Sequence, residues 1–274
     1  MHVAGNSRPD TLETMCSELA RLFLPRTRPG RVTDTPAEGL KLIQRTSPTD
    51  PMPVTYEPIL AVVVQGCKQI ELGGAVIIYH PTRFLLTSLD LPVLSRVTGA
   101  SPQKPYVCPA PRHEMPVVRE LVSRMETVAG ETGSQGPAMA TGRLTVDLLD
   151  ALRRLVVRLD AQEDLPLLSG MARREITCRI PRSPAGARLR RIAVPGEESR
   201  RAGRAVDWMR RNFRKPPRIA GLAEMAAMGV STFHRHFRAL TNMSPLQYQK
   251  KLRLQAARGR IPIDGRDVAS AAYE

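Results

Sequence analysis

The sequence RIAGLAEMAAMGVSTFHRHFRALTNMSPLQYQKKLRLQAARGRI, residues 218–261, decides how the rest of the chain is interpreted. Its middle part, residues 231–241, predicts a helix, because apolar side chains recur there every three to four residues. A second apolar series precedes it, and residues 227–229 between the two leave room only for a sharp corner. The pattern therefore predicts a helix-turn-helix, whose second helix enters the major groove of DNA. The apolar residues of that second helix are Phe233, Phe237 and Leu240.

Polar residues occupy the other faces of the predicted second helix, where they are free to meet a polar partner. They are Ser231, His234, Arg235 and Arg238, while His236 is expected to flank the core or a phosphate. The next helix has a clear start signal. Ser244 is a natural N-cap, Pro245 suits the first helical position, and Gln247 completes a capping box.

The positive charge of the chain is concentrated in its last third. The whole chain carries a net charge of +15. Residues 171–260 contain 22 Lys and Arg against 5 Asp and Glu, a net charge of +17, so the remainder carries −2. A basic segment beside a near-neutral one indicates two functions, and a nucleic acid is the usual partner of such a segment. The alternative, a solvated and solubilising surface, leaves the coincidence of charge and helix-turn-helix unexplained.

The positions of cysteine and histidine argue against several classes of protein. The four cysteines are widely spaced and form no CxxC pair, which disfavours structural zinc and disulfides and favours a reducing cytoplasm. A metal-dependent barrel enzyme would need clustered ligands, and the β-rich region offers only His80, Glu57 and Glu71. His234 and His236 are two residues apart on one helix, so they point to different faces. We therefore expect no catalysis, no metal or other cofactor, and no membrane association.

Short β-rich runs separated by turn signals occupy residues 56–108. They read ILAVVVQ, KQIEL, AVIIY, RFLLT and PVLSRVT, and Gly73-Gly74 between the second and third predicts a two-residue hairpin. Antiparallel strands in this succession predict a small barrel or sandwich. A barrel of this kind holds a small molecule at its mouth, so a small-molecule effector is a candidate partner.

Helical periodicity flanks the β-rich region on both sides. Residues 11–24 predict an amphipathic helix, and a further apolar stripe spans residues 118–128. Residues 130–142 predict a loop before a leucine-rich stripe at residues 144–159. This leucine-rich stripe has two interpretations, a core face or the seam of a homodimer. Pro181 falls inside a later predicted helix, at a cost of about 3 kcal/mol.

Residues 222–258, LAEMAAMGVSTFHRHFRALTNMSPLQYQKKLRLQAAR, resemble the AraC family of bacterial transcription regulators. They are similar to the family's first helix-turn-helix and linker helix, and the closing DVASAAYE is similar to the start of its second helix-turn-helix. Residues 56–106 resemble the cupin-like sensor domain of one subfamily. The resemblance implies an α+β protein, with a cupin-like antiparallel β domain and helices followed by an all-α helix-turn-helix domain. The implied units are a lead-in helix at 1–32, the sensor at 33–110, a helical dimerisation and linker region at 111–193, and the DNA-binding domain at 194–274.

Carried onto this chain, the resemblance implies a role for residues on each face of the predicted helix. Ser231, His234 and Arg235 correspond to base contacts, and Phe233, Phe237 and Leu240 to the core of the recognition helix. An arginine that donates two hydrogen bonds to a guanine discriminates by about 1–3 kcal/mol. Phosphate contacts supply affinity and register, and the residues placed for them are Arg238, Lys250, Lys251 and Arg253. The implied partners are promoter DNA and, as candidates, RNA polymerase and a second copy of the chain.

Departures from the family pattern give a second hypothesis. The second recognition helix is expected to be missing, Gly229 stands where the family has a serine helix cap, and Pro262 enters the linker helix. Pro109 and Pro111 stand where the sensor is expected to continue with another strand. The main hypothesis is a cytoplasmic, sequence-specific transcription regulator. The alternative is a truncated sensor and dimerisation module that no longer binds DNA specifically and sequesters full-length relatives.

Overall fold

The structure is a computed structural model that describes residues 9–112, 117, 118, 120, 138–160, 163, 165–180 and 196–258. Most of the stripe at residues 118–128 and the whole of the closing DVASAAYE segment lie outside the described residues. Among the helices that are described, none is both long and apolar enough for a membrane span. The helices are α1 (Pro9–Phe23), α2 (Val146–Val157), α3 (Leu165–Arg179), α4 (Glu197–Arg211), α5 (Ile219–Met225), α6 (Val230–Thr241) and α7 (Pro245–Arg258).

The strands of the N-terminal region form antiparallel sheets. Their orders are β1-β2-β9, β10-β7-β4 and β3-β8-β5-β6. Isolated bridges from Ile59 to Arg112 and from Gln65 to Val107 connect the first two sheets. The strands are β1 (Val32–Asp34), β2 (Leu40–Arg45), β3 (Met52–Tyr56), β4 (Leu60–Val62), β5 (Cys67–Leu72), β6 (Ala75–Tyr79), β7 (Arg83–Thr87), β8 (Leu91–Gly99), β9 (Tyr106–Pro111) and β10 (Met139–Arg143).

Both faces of the central strands are covered by apolar side chains. Successive residues of a strand point to opposite faces, so Leu60 and Val62 join one core while Ala61 and Val63 join the other. The first core lies between the strands and α1, α2 and α3. The second core lies between the strands and α4 to α7, and it therefore contains residues of the predicted sensor and of the helix-turn-helix together.

The α+β fold class is confirmed, and all five β-rich runs contain strands, β4 to β8. The hairpin predicted at Gly73-Gly74 is also confirmed. Leu72 of β5 pairs with Ala75 of β6, which leaves a two-residue turn. Gly73 has a φ of 56° and Gly74 a φ of 89°, the positive values that a type I′ turn requires at both positions.

Two local predictions differ from the structure. Pro109 and Pro111, treated as a departure from the expected strand, lie within strand β9. Proline is tolerated there because β9 lies at the edge of its sheet. Residues 139–142, predicted as loop, belong to β10, which pairs with β7 far away in sequence. The helix α3 ends at Arg179, and Pro181, predicted to fall inside a helix, lies outside the described residues.

The leucine-rich stripe of α2 is a core face, and its interpretation as a dimer seam is wrong. Leu148, Leu149, Leu152, Leu155 and Val156 have no exposed surface and belong to the first core. Helices α1 and α3 pack against α2 and cover this stripe within one chain.

Leu152→Ala is expected to destabilise the fold by about 2–5 kcal/mol, because it removes buried methyl groups and leaves a cavity. Val157→Ala, on the solvent side of the same helix, is the control, since that side chain is 51% exposed and its loss is expected to change stability by less than about 0.5 kcal/mol. Equilibrium urea unfolding of both variants provides the comparison. Equal effects of the two substitutions would contradict the packing of α2.

Candidate nucleic-acid interface

The helix-turn-helix consists of α5 and α6, joined by residues 226–229. The corner is closed by backbone hydrogen bonds from Ala227 N to Glu224 O at 2.8 Å and from Met228 N to Ala223 O at 3.0 Å. Ala227 has a φ of 50°, a left-handed conformation that costs an L-residue about 1–2 kcal/mol. Helix α6 then begins after Gly229, which provides no side-chain cap.

The inward face of α6 is aromatic and closely packed. Phe233 and Phe237 have no exposed surface, and Leu240 is 4% exposed. The ring centroids of Phe233 and Phe237 are 5.6 Å apart, and Phe237 meets the ring of Tyr248 in α7 edge-on at 5.6 Å. These contacts determine how α6 is rotated about its axis, and therefore which residues face solvent.

The outward face of α6 carries the residues predicted to contact bases. Ser231, His234, Arg235 and Arg238 are all exposed. Their spacing of three and four residues places them on one side of the helix. Within the described chain, the Arg235 guanidinium approaches His236 Nε2, which lies 3.5 Å from Nη2, and the rest of the side chain faces solvent. The guanidinium is therefore accessible to a partner.

His236 belongs to the protein interior and not to a phosphate contact. It is 1% exposed, and its Nε2 lies 3.0 Å from a carboxylate oxygen of Glu198 in α4. This pair joins α6 to α4. His234 is exposed, so the two histidines do not share a face. In the described parts of the chain, no cluster of three or more His, Cys, Asp or Glu is placed to hold a metal ion.

Helix α7 begins with the predicted capping box. Gln247 N donates to Ser244 Oγ at 3.3 Å, and Ser244 N donates to Gln247 Oε1 at 2.9 Å. Further along α7, Lys250 is exposed and Lys251 is half-buried. Both ammonium groups extend from the helix that follows the recognition helix.

Arg253, predicted to contact phosphate, is bound to the protein backbone. Its Nε donates to Phe213 O at 2.8 Å and its Nη2 to Arg214 O at 2.9 Å. Gln249, one turn earlier, donates to Phe213 O at 3.0 Å and to Lys215 O. We call Gln249 and Arg253 the carbonyl clamp. It satisfies the backbone carbonyls that follow α4 and holds the connection to α5.

The same connection exposes cations that the sequence predictions did not include. Arg214, Lys215 and Arg218 are exposed between α4 and α5. In the sequence they are indicated only by the high positive charge of the segment, because they lie outside the two helices that carry the predicted contacts.

Helices α6 and α7 are attached to the β sheets by specific hydrogen bonds. Tyr248 OH donates to Asp90 O at 2.8 Å, and Asn242 Nδ2 donates to Leu72 O at 2.8 Å. Gln255 Nε2 donates to Val54 O at 2.9 Å. Burial raises the pKa of the Tyr248 hydroxyl further above neutral pH. Desolvation by burial also raises the pKa of the Asp90 carboxyl, which forms an ion pair with Arg210.

A family model described as AraC-type transcriptional regulator N-terminus matches residues 36–188, more than half of the chain. The chain belongs to the AraC family. Apo ToxT from Vibrio cholerae is 12% identical, with a TM-score of 0.32 and coverage of 78% of this chain and 98% of that one. The AraC-like transcriptional activator CuxR is 14% identical, with a TM-score of 0.35 and coverage of 85% and 80%. No curated protein matches this AraC-family chain.

Gly73→Ala is expected to weaken the contact between the β5–β6 hairpin and the end of α6. A Cβ at Gly73 would lie 2.0 Å from the backbone oxygen of Asn242, so one of the two segments must move. Gly74→Ala is the matched control, since its φ is also positive but nothing lies within 4 Å of its Cβ position. We expect Gly73→Ala to lose about 1–3 kcal/mol more in urea unfolding than Gly74→Ala. Similar losses for both would show that the hairpin does not touch α6.

Arg253→Ala is expected to lower the free energy of unfolding by about 1 kcal/mol, because it removes hydrogen bonds to two backbone carbonyls. Lys250→Ala, on the same helix, is expected to stay within about 0.5 kcal/mol of the parent. Thermal or chemical unfolding in the absence of DNA separates the two. Equal stabilities of the two variants would contradict the carbonyl clamp and leave Arg253 as a candidate phosphate contact.

Proposed function

We propose that this AraC-family protein is a sequence-specific DNA-binding transcription regulator that reads the major groove with residues 231–241. The observation that supports the proposal most strongly is the division of α6 into two faces. Its aromatic face is buried against α7 and the second core, and its polar face is exposed and cationic. A helix held rigidly on one side with donors on the other is suited to insertion into a groove.

Within this proposal, Ser231, His234 and Arg235 contact base edges. Arg235 donates two hydrogen bonds to a guanine, the pairing that a planar guanidinium favours. Arg238, Lys250 and Lys251 contact phosphates and fix the register of the helix on the duplex. These phosphate contacts are extended by exposed cations before α5 (Arg214, Lys215 and Arg218), while Arg253 positions α7 through the carbonyl clamp.

The β sheets and first-core helices form the sensor in this proposal. A small-molecule effector binds among the strands, and RNA polymerase and a second copy of the chain are the protein partners. The second core provides a route between effector and DNA, because strands and helix-turn-helix residues pack within it.

Selection of duplexes from a random library by the full chain tests the function. A regulator enriches a defined sequence, and its affinity for that duplex falls steeply as salt concentration rises. Equal, weak binding to every duplex would contradict the proposal and favour the alternative, a sensor and dimerisation module that sequesters full-length relatives.

Arg235→Ala and Lys250→Ala are expected to change DNA binding in different ways. Loss of Arg235 should relax the preference at one base pair, by about 1–3 kcal/mol. Loss of Lys250 should weaken all duplexes alike and reduce the slope of log affinity against log salt by about 1. Fluorescence anisotropy with the selected duplex and its single-base variants measures both effects.

Lys104→Ala is the charge-matched control, since Lys104 is exposed in the loop between β8 and β9. It should leave both specificity and salt dependence unchanged. The same behaviour for Arg235→Ala and Lys250→Ala would contradict the separate roles assigned to bases and phosphates.

A further inference from the structure

A cavity of about 200 Å³ opens among β2, β3, β5 and β8. Its walls are mostly apolar and include Val32, Ile43, Met52 and Val97. Typical sites for drug-sized ligands occupy about 300–1,000 Å³, so this cavity suits a compact molecule.

Two of the cations that line the cavity, Arg45 and Lys68, have no carboxylate partner among the described residues. Arg45 is half-buried, and its Nη1 donates to the backbone oxygen of the adjacent Gln44 at 2.7 Å. Burial lowers the pKa of the Arg45 guanidinium, which reflects the cost of holding its charge away from water. Lys68 Nζ lies 5.3 Å from the ring centroid of Tyr56 and 5.9 Å from that of Tyr106.

Arg96, which also lines the cavity, differs from these two because it is exposed to solvent and donates to Gln69 Oε1 at 2.8 Å. The carboxylate of Glu57 lies 3.9 Å from Arg112. Positive charge that is removed from water without a counter-charge is costly. An anion placed between Arg45 and Lys68 would offset that cost, and the apolar walls would accept an uncharged body.

We propose that this cavity binds a small organic anion, a carboxylate with a compact apolar body, through Arg45 and Lys68. The inference rests on the proposed function, since it names the chemical class of the effector. Strand β3, which lines the cavity with Val54 and Thr55, also holds α7. Gln255 donates to Val54 O and accepts from Thr55 Oγ1 at 2.7 Å. The anion therefore lies against the strand that carries the DNA-binding helices.

Calorimetry and thermal unfolding of the full chain, without DNA, test the proposal with benzoate and butyrate at constant ionic strength. Benzamide and butyramide are the uncharged controls, and inorganic phosphate is an anion without an apolar body. We expect at least one carboxylate to raise the unfolding temperature in a concentration-dependent way, while its amide and phosphate do not. Failure of both carboxylates, or equal effects of carboxylate and amide, would overturn the proposal.

Arg45→Gln and Lys68→Gln are each expected to weaken binding of that carboxylate by about tenfold or more. Lys41→Gln is the control, since Lys41 is exposed on β2 and lies 3.6 Å from Asp34. Unchanged affinity in both cavity variants would overturn the site, even if a carboxylate binds elsewhere. These measurements contain no DNA, so they test the cavity separately from the proposed function. If the chain binds a carboxylate but shows no sequence-specific DNA binding, the proposed regulator function is rejected and the carboxylate site is retained.

Discussion

Tyr248 joins α6 to the β sheets. Its ring packs edge-on against Phe237 of α6, and its hydroxyl donates to the backbone carbonyl of Asp90 at 2.8 Å. The residue has no exposed surface, so both contacts are made inside the second core. Because one core contains strand residues and helix-turn-helix residues, the orientation of α6 is set by the sheets as well as by its neighbouring helices. The exposed face with Ser231 and Arg235 follows from that constraint.

The packed apolar residues and the exposed cations lie in different parts of the structure. The first core is formed by α1, α2, α3 and the strands, where the leucine-rich stripe is covered completely. Cations of the basic segment instead lie at the surface of α6, α7 and the connection before α5. Two polar side chains for which the sequence predicted or allowed a phosphate contact bind other parts of the protein instead. His236 pairs with Glu198, and Arg253 holds backbone carbonyls. The set of exposed cations is therefore smaller than the net charge of the segment indicates.

Local signals in the sequence predicted local structure well. Ser244 and Gln247 form their capping box within four residues, and Gly73-Gly74 closes a hairpin between adjacent strands. Features that depend on distant partners were missed or misassigned. Strand β10 is recognisable only through its pairing with β7, and the carbonyl clamp joins Arg253 to a residue 40 positions earlier. The docking of Asn242 on Leu72 spans 170 positions, and no periodicity within either segment encodes it. The exposed face of α6 was predictable because helical spacing alone assigns it once the aromatic face is known.

The shared second core is tested most directly by unfolding the chain and observing its two parts separately. Trp208, the single tryptophan, lies in α4 and packs against the second core, so its fluorescence reports on the packing of α4 to α7. Far-UV circular dichroism reports on the strands and on all the helices together. If one core joins these parts, the two signals change at the same urea concentration with the same steepness. A fluorescence transition at clearly lower urea, with the circular dichroism of the strands retained, would contradict the account.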